Sequence, residues 1–282
     1  MVDEQKGKGP SMKGNSWKEK FIAIQQGKPL DDFLGRKDIM VVISPHPDDD
    51  VLGAGGVMIE AAEKGRAVFS VTLTDGRSSP RKGPPISDEE MVELRQKESR
   101  AALKILGAAG GFYFLKQSSG LGGEEGRKVA EDLRGLFESV RPSEVFLPAP
   151  YERHPTHIRC TRLTLEALRS STGLRPSLLG YSLWGGFFGE KNRVARDITP
   201  FVRKKVEAVL AHSTQIAYKN YQQGILGKNN SEAIFWESQE AQAATFVEAF
   251  LDMSELLEHK DWSLEDFIRQ DVEAFIRAFL KP

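Results

Sequence analysis

The chain has 282 residues, of which 40% are hydrophobic and 28% are charged, and its formal net charge is −1. Such a composition is typical of a globular protein with one large domain, or with one domain and an appendage. The balanced charge excludes the basic footprint of a nucleic-acid binder or of a protein that binds anionic membranes. No apolar run approaches the roughly 20 residues that span a bilayer. The single cysteine, Cys160, excludes an intramolecular disulfide and a cysteine-rich metal site.

The amino terminus, residues 1–20, is rich in lysine and glycine and has no apolar segment like that of a secretory signal. We therefore expect a cytoplasmic protein in which residues 1–36 form a partly mobile extension. Residues 37–282 are expected to form a single α/β domain with helices at its carboxy terminus.

From residue 39 onward, apolar runs alternate with helical patterns. Ser87 and Glu90 have the spacing of a capping box, and Gly107 ends the helix that they begin. The apolar stripe of this helix is predicted to run through Met91, Leu94, Ala101, Ala102 and Ile105. Strands are predicted at 39–43, 67–74, 112–115, 144–147 and 178–184, and helices at 51–64, 88–106, 124–140, 158–169, 199–211, 239–257 and 264–280. This order predicts a Rossmann-like, doubly wound, mostly parallel sheet with a helical carboxy-terminal extension.

The first chemical motif, Pro-His-Pro-Asp-Asp-Asp at 45–50, directly follows the first predicted strand. In open α/β sheets, functional sites form beyond the carboxyl ends of the strands. His46 and Asp49 are three residues apart and face the same way in a first helical turn, whereas Asp48 projects at another angle. This arrangement suits two metal ligands with a base beside them. Acidic residues also stabilise helix starts, so a structural role for the three aspartates is the competing interpretation.

The second motif, His-Pro-Thr-His at 154–157, follows another strand-like run and repeats the three-residue offset. His154 and His157 belong to a chain with only five histidines. Two strand ends can therefore bring imidazoles and carboxylates to one point, as a mononuclear hydrolytic metal site with three ligands and an open position requires.

The paired motifs, over roughly residues 39–215, resemble those of the de-N-acetylases of the phosphatidylinositol-glycan-L (PIG-L) and LmbE-like type. The resemblance implies a zinc-dependent deacetylase, with other divalent metals also compatible, in which His46, Asp49 and His157 are the ligands. It further implies that Asp48 is the general base and that His154 faces the developing oxyanion as an imidazolium. The implied partner is a small N-acetylated sugar or sugar conjugate. Assembly into a homo-oligomer stays open.

Two positions depart from the family pattern. Asp50 occupies a position where the family usually has glutamate, and Thr156 one where it usually has aspartate. Loss of that aspartate is expected to lower the pKa of a histidine that it would contact. If His154 must be protonated to stabilise an oxyanion, the active pH range would shift downward. Glu152 is near enough in sequence to replace the missing carboxylate.

Three residues are candidates for substrate binding. Arg77 follows the second strand and could bind a sugar hydroxyl or phosphate, although pairing with Asp75 is the simpler role. Phe187 follows two glycines after the fifth strand and could form the rim of a pocket. His212 lies in a His-Ser-Thr-Gln stretch that looks like a variant of the family's His-x-Ser-Gln, although a histidine held by a helix terminus is an equal alternative.

Rival classes remain to be weighed against the amino-sugar deacetylase. A dinucleotide-binding dehydrogenase is disfavoured because the glycines at 53–56 lack the required spacing and follow three acidic residues. A phosphoesterase with two metals would need further clusters of histidine and aspartate. A hydrolase of another amide or ester, or a non-catalytic metal- or carbohydrate-binding protein, would share the same fold.

Overall fold

The computed structural model describes residues 16–25, 28–187, 192–235 and 243–279. Within these ranges the strands are β1 (Phe21–Ala23), β2 (Ile39–Ser44), β3 (Ala67–Thr74), β4 (Gly110–Lys116), β5 (Glu144–Pro148), β6 (Ser177–Tyr181), β7 (Arg193–Asp197) and β8 (Val247–Asp252). They form one sheet in the order β1-β4-β3-β2-β5-β6-β8-β7. The central strands from β4 to β6 are parallel, whereas β1, β8 and β7 are antiparallel to their neighbours.

Helices cover both faces of the sheet, so the predicted doubly wound fold is confirmed. The helices are α1 (Asp49–Glu63), α2 (Asp88–Leu106), α3 (Gly123–Val140), α4 (Pro155–Ser170), α5 (Val202–Leu210), α6 (Ser213–Tyr218), α7 (Tyr221–Ile234), α8 (Glu255–Glu258) and α9 (Leu264–Phe279). One core lies under α1, α2 and α5, and the other lies under α3 and α4. Among the described residues, no helix has the length and apolar character needed to cross a membrane.

Local signals fixed several element boundaries. Every residue of β2 and β3 is buried, which accounts for the continuous apolar run at 39–43 in β2. At the start of α2, the Ser87 hydroxyl accepts from the Glu90 backbone N–H at 3.1 Å, and the Glu90 carboxylate accepts from the Ser87 N–H at 2.7 Å. Gly107 ends that helix in the left-handed conformation, with φ +79°. The predicted capping box and helix stop are therefore both confirmed.

The carboxy-terminal prediction was wrong in one element. The segment expected to be a helix over 239–257 contains β8, which pairs with β6 and β7, followed by the short helix α8; residues 239–242 lie outside the described residues. The fifth predicted strand ends at Tyr181 rather than at residue 184, and α4 begins at Pro155. The extension is thus helical only in part, because two of its strands complete the sheet.

The described part of the amino-terminal extension packs into the domain. Strand β1 pairs with β4, and the Trp17 side chain is buried against the ring of Phe112. Leu30 and Phe33 are also buried in the core under α3 and α4. Residues 1–15, which were expected to be mobile, lie outside the described residues.

The strand order also locates the switch point of the sheet. From β2 the chain proceeds through β3 to β4 on one side, and then returns to place β5 on the other side of β2. Loops that follow β2 and β5 therefore diverge to opposite faces and leave a crevice between them. Both histidine motifs lie in these two loops.

Candidate metal centre and active site

The turn after β2 is fixed by backbone hydrogen bonds. The Pro45 carbonyl accepts from the Thr74 N–H at 3.0 Å, and the Ser44 hydroxyl accepts from the Asp50 N–H at 3.0 Å. The His46 backbone N–H donates to Asp49 Oδ2 at 2.8 Å. These bonds hold the Asp49 carboxylate at the start of α1 and turn it toward the imidazole of His46.

Three donor atoms from the two motifs converge on one point. His46 Nδ1 is 2.9 Å from Asp49 Oδ2, and His157 Nε2 is 3.1 Å from the same oxygen. The two imidazole nitrogens are 3.3 Å apart. The convergence of loops more than a hundred residues apart, which the motifs predicted, is therefore present.

These separations suit a divalent metal ion. Ligands at about 2.0–2.1 Å from a tetrahedral zinc ion lie roughly 3.3 Å from one another. The ring nitrogens and the carboxylate oxygen approach this spacing, and they are the donor types that zinc binds. Burial opposes ionisation of Asp49, but the two imidazoles outweigh it and hold its pKa well below the ordinary value. The carboxylate is therefore available as an anionic ligand.

His154 lies beside this trio and faces the same space. Its ring centroid is 4.9 Å from that of His46 and 5.0 Å from that of His157, and donor atoms of the three histidines lie within 4.8 Å of one another. An all-histidine ligand set is thus conceivable, but the Asp49 oxygen is closer to both His46 and His157. The trio that contains Asp49 is the more compact ligand set.

The pKa of His154 is lowered by burial and by the positive charge of His46 and His157. These causes are the burial of the ring and its two histidine neighbours, and they do not involve Thr156. The lowered pKa favours the neutral imidazole, which has one N–H donor, over the expected imidazolium.

Glu152 is close enough to serve as a carboxylate partner, as expected, and the histidine that it contacts is His157 rather than His154. Its Oε2 lies 3.1 Å from His157 Nδ1, and both side chains are fully buried. Burial lowers the pKa of His157, but Asp49 and Glu152 outweigh it and raise the value to about 10. A carboxylate on the far nitrogen orients the imidazole and increases its basicity as a ligand. Glu152 therefore supplies His157 with a carboxylate partner, which Thr156 cannot provide.

Asp48 lies at the edge of the donor trio, and its carboxylate forms no helix-capping bond. Its Oδ1 instead pairs with Nη2 of Arg95, from α2, at 3.0 Å. The Arg95 side chain is 1% exposed, and its Nε and Nη1 have no partner within the described residues. Sequence reasoning missed Arg95, because this residue lies outside the apolar stripe predicted for its helix. The absence of a capping bond at Asp48 disfavours the purely structural interpretation of that aspartate.

Asp50 points away from the metal trio. Its Oδ2 accepts from the Ser70 hydroxyl at 2.6 Å, and its Oδ1 accepts from the Val51 N–H at 2.9 Å. Burial raises the pKa of Asp50 to about 6. The shorter side chain at this family glutamate position thus contacts β3 behind the site, and it does not hold Asp48.

His212 is 2% exposed and lies behind Asp48 rather than in the crevice. Neither of its ring nitrogens has a partner in the described part of the chain, and burial lowers its pKa to about 4. The neighbouring hydroxyls of Ser213 and Thr214 donate to Glu98 of α2 at 2.6 and 2.7 Å. This stretch therefore packs against the support of the site, and His212 does not line the substrate space.

The crevice above the trio is a polar cavity of about 200 Å³. It is lined by His46, Asp48, Asp49, Leu52, Thr74, Asp75, Gly76, Arg77, Ser78, Ser79, Pro80, Arg95, Ser118, His154, Trp184, Gln215 and Tyr221. Arg77 is among these residues, but its Nε also pairs with Asp75 at 2.7 Å. Phe187 instead packs against the core, and Trp184 is the aromatic residue of that loop that lines the cavity.

The fold and this cluster of imidazoles and carboxylates define an α/β protein with a candidate mononuclear metal centre. Residues 41–168 match the family model of PIG-L, the GlcNAc-PI de-N-acetylase. This match confirms, over residues 41–168, the resemblance to the PIG-L family that the paired motifs predicted.

Known proteins give two kinds of likeness. Diacetylchitobiose deacetylase of Thermococcus kodakarensis is 29% identical over 62% of this chain and 69% of its own. The N,N'-diacetylchitobiose deacetylase structure from Pyrococcus horikoshii has a TM-score of 0.64 at 25% identity, over 79% of this chain and 86% of its own. The 4-carboxy-2-hydroxymuconate hydratase from Pseudomonas putida KT2440 has a TM-score of 0.63 at 20% identity, over 77% and 96%, which shows the fold alone.

Proposed function

We propose that this chain is a metal-dependent hydrolase that removes the N-acetyl group from an amino-sugar substrate of the N-acetylglucosamine type. The products are acetate and a free amine. The observation that carries the proposal is the convergence of His46, Asp49 and His157, whose donor atoms lie within 3.3 Å of one another at the base of a polar cavity. The match of residues 41–168 to a de-N-acetylase family and the likeness of the chain to sugar deacetylases support the same reaction.

We assign His46, Asp49 and His157 as ligands of one divalent cation, with zinc as the cation that best suits two imidazoles and a carboxylate. When bound, such a cation supplies Lewis acidity, which polarises a carbonyl oxygen and makes a water molecule more acidic. Glu152 fixes the ring of His157, and the His46 backbone fixes the carboxylate of Asp49.

Asp48 is the proposed general base and acid. Arg95 binds one of its oxygens, which leaves the other free to accept a proton from the attacking water. The water oxygen bonds to the acetyl carbonyl carbon, and the proton held by Asp48 then passes to the sugar nitrogen as the C–N bond breaks. His154 lines the same cavity, and we assign its ring N–H as a donor to the tetrahedral oxyanion.

The sugar itself is proposed to bind in the polar cavity. Arg77, Ser118 and Gln215 present hydrogen-bonding groups around the donor trio. This wall of mixed donors and acceptors suits hydroxyl groups, which can both donate and accept. The compatible substrates are N-acetylglucosamine units, free or conjugated through another carbon of the ring.

The test is the release of primary amine from a panel of N-acetylated sugars, sugar conjugates and simple amides. We expect activity with zinc-loaded protein, loss of activity with a chelator, and recovery when zinc is restored. Asp48→Asn should lower kcat by about 10²–10⁴-fold with the metal content unchanged. Asp50→Asn is the matched control, because its carboxylate contacts Ser70 behind the site, and it should retain most of the activity.

The same panel, extended with simple esters, separates deacetylation of an amino sugar from the other candidates. Hydrolysis of another amide or of an ester is the second candidate, because the same donor trio and cavity would serve it. If metal-loaded protein released no amine from any N-acetylated sugar but hydrolysed simple amides or esters, the amino-sugar deacetylase proposal would be wrong. Metal binding without either activity would instead support a non-catalytic binding protein.

A further inference from the structure

A second cavity adjoins the polar one and is lined mainly by apolar side chains. It has a volume of about 230 Å³ and shares Leu52, Trp184 and Tyr221 with the rim of the polar cavity. Its remaining apolar wall is formed by Leu183 and Ile225. The two cavities therefore meet at a boundary made of two aromatic rings and a leucine.

The chemistry of this second cavity does not suit a sugar ring. The one charged side chain among its lining residues is Lys228, and the Lys228 ammonium already donates to Glu232 at 2.9 Å, one turn along α7. The polar cavity, in contrast, presents Asp75, Arg77 and Ser118. Hydroxyl groups placed in the second cavity would lose hydrogen bonds to water without equivalent replacements, whereas apolar groups would gain from leaving water.

The wall between the cavities is tied to the proposed metal centre. The Trp184 backbone N–H donates to the Glu152 carboxylate at 3.2 Å, and the same carboxylate bonds to His157. Leu52 lies on the first turn of α1, three residues after Asp49. The distance from the second cavity to the reacting carbonyl is thus fixed by the same groups that orient the ligands.

We propose that this second cavity is a subsite for an apolar substituent of the substrate, an alkyl chain or an aryl ring, next to the sugar in the polar cavity. This inference rests on the proposed function and specifies its substrate class as N-acylated amino sugars that carry an apolar group. An apolar cavity of about 150 Å³ already holds a benzene ring, so the space here accepts an aryl ring or a short alkyl chain. The substituent is attached either as the aglycone or as a longer N-acyl chain.

Two homologous substrate series distinguish these attachments. One consists of alkyl N-acetyl-β-D-glucosaminides from methyl to hexyl, and the other of N-acylglucosamines from acetyl to hexanoyl. In the series that places its chain in the cavity, kcat/KM is expected to rise about fourfold per methylene until the cavity is filled. The other series should stay flat or decline. A rise in either series supports the subsite and identifies the attachment point.

Two glycines of α7 provide a matched pair of variants. Gly224 lines the second cavity and Gly227 does not, and a Cβ at either position meets no atom within 4 Å. Gly224→Leu should fill the cavity and abolish the chain-length effect, so that the methyl and hexyl glycosides have similar kcat/KM. Gly227→Leu should keep the full effect. Both variant proteins should be at least as stable as the wild type, because each replaces a glycine, which disfavours helix interiors.

Calorimetry with the Asp48→Asn variant measures affinity for the longer member of each series without turnover. We expect the hexyl or hexanoyl ligand to bind more tightly than its one- or two-carbon counterpart. We expect this difference to disappear when Gly224→Leu is added. If the methyl glycoside is deacetylated but neither series depends on chain length, the subsite is refuted and the proposed function stands. If no substrate releases amine and chain length does not affect binding, both fail.

Discussion

The active-site crevice has two walls of different origin. The strand-end wall consists of residues 44–50 and 148–158, which follow the central strands β2 and β5. The helical wall consists of Arg95 and Glu98 of α2 with residues 212–221, which include α6. The strand-end wall presents the candidate ligands, the base and the oxyanion donor. The helical wall contributes groups that contact them from behind or close the cavity.

The two walls also differ in how their charges are compensated. On the strand-end wall, the side chains of His46, Asp49 and His157 point at one another and at the space that a cation would fill. On the helical wall, Arg95 points at Asp48, and Glu98 accepts hydrogen bonds from Ser213 and Thr214. The strand-end wall is thus arranged around the space for a cation. The helical wall is arranged around the residues of the strand-end wall. Variants of the first should therefore remove function outright, and variants of the second should weaken it.

The largest effect is expected from Asp49→Asn on the strand-end wall. The substitution removes the anionic member of the donor trio, so metal affinity should fall by more than the 10–100-fold typical of a residue that only supports a ligand. Amine release should fall to background. Metal content measured by elemental analysis after gel filtration, alongside activity, checks this outcome, with Asp50→Asn as the control.

Full metal content in the Asp49→Asn protein would contradict the proposed ligand set. It would instead favour the all-histidine cluster of His46, His154 and His157, whose donor atoms also lie near one another. A His154→Gln variant then separates the two sets, because it should retain metal if Asp49 is the ligand and lose metal if His154 is.

On the helical wall, Arg95→Met should lower kcat by about 10–100-fold with little change in KM or metal content. The reason is that Asp48 loses the guanidinium that fixes one of its oxygens, and small displacements of a catalytic group cost rates of this order. Arg95→Lys should recover part of the loss. Steady-state kinetics with circular dichroism as a check on folding measures the effect.

Arg100→Met is the matched control for Arg95, since it changes the same residue type in the same helix outside the cavity lining. It should leave kcat unchanged. A normal kcat for Arg95→Met would show that Asp48 needs no partner from the helical wall, and the distinction between a chemical and a supporting wall would then fail.

The contrast between the walls matches what could be predicted from the sequence. The strand-end wall follows from short-range signals: an apolar run ends, a His-Pro pair follows, and acids begin the next helix. The ladder of parallel strands then brings both loops to one edge. These signals gave His46, Asp48, Asp49, His154 and His157, and the structure gathers all five around one point.

The helical wall depends on packing that has no local signal. In α2 the apolar stripe was predicted to include Leu94 and Ala101, but the structure buries Arg95 and Glu98 and leaves Leu94 at 38% exposure. The polar residues at 95 and 98 are buried because partners far along the chain compensate them. Hydrophobic periodicity alone therefore predicts the wrong buried face for this helix.

A buried ion pair explains the missed strand β8 in the same way. Glu248 is the second residue of β8, and its carboxylate pairs with the buried Lys205 of α5 at 2.6 Å. It also accepts from the backbone N–H groups of Gly56 and Val57 in α1 at 2.8 and 2.9 Å. A charged residue within an apolar run favours an amphipathic helix when only the sequence is considered. Its partner Lys205 lies 43 residues away in the sequence, so a local pattern cannot show that the charge of Glu248 is compensated within a strand.

The smallest effect expected from the helical wall concerns stability against acid. His212 faces Asp48 of α1 and Arg95 of α2, and burial lowers its pKa from 6.5 to about 4. Between these values the unfolded chain binds a proton that the folded chain does not, so the free energy of unfolding decreases as the pH falls. From pH 7 to pH 5 this linkage amounts to about 2 kcal/mol. Urea unfolding of the wild type and of His212→Leu measures it.

The His212→Leu protein should lose about 2 kcal/mol less stability than the wild type over that interval, whatever its stability at pH 7. His259→Gln is the control, because the His259 ring is exposed and stacks on Trp262 far from the crevice. It should keep the acid sensitivity of the wild type. Equal losses in the wild type and His212→Leu would mean that His212 is protonated or hydrated in the folded protein, so that the helical wall is polar behind Asp48 and does not keep that side of the carboxylate dry.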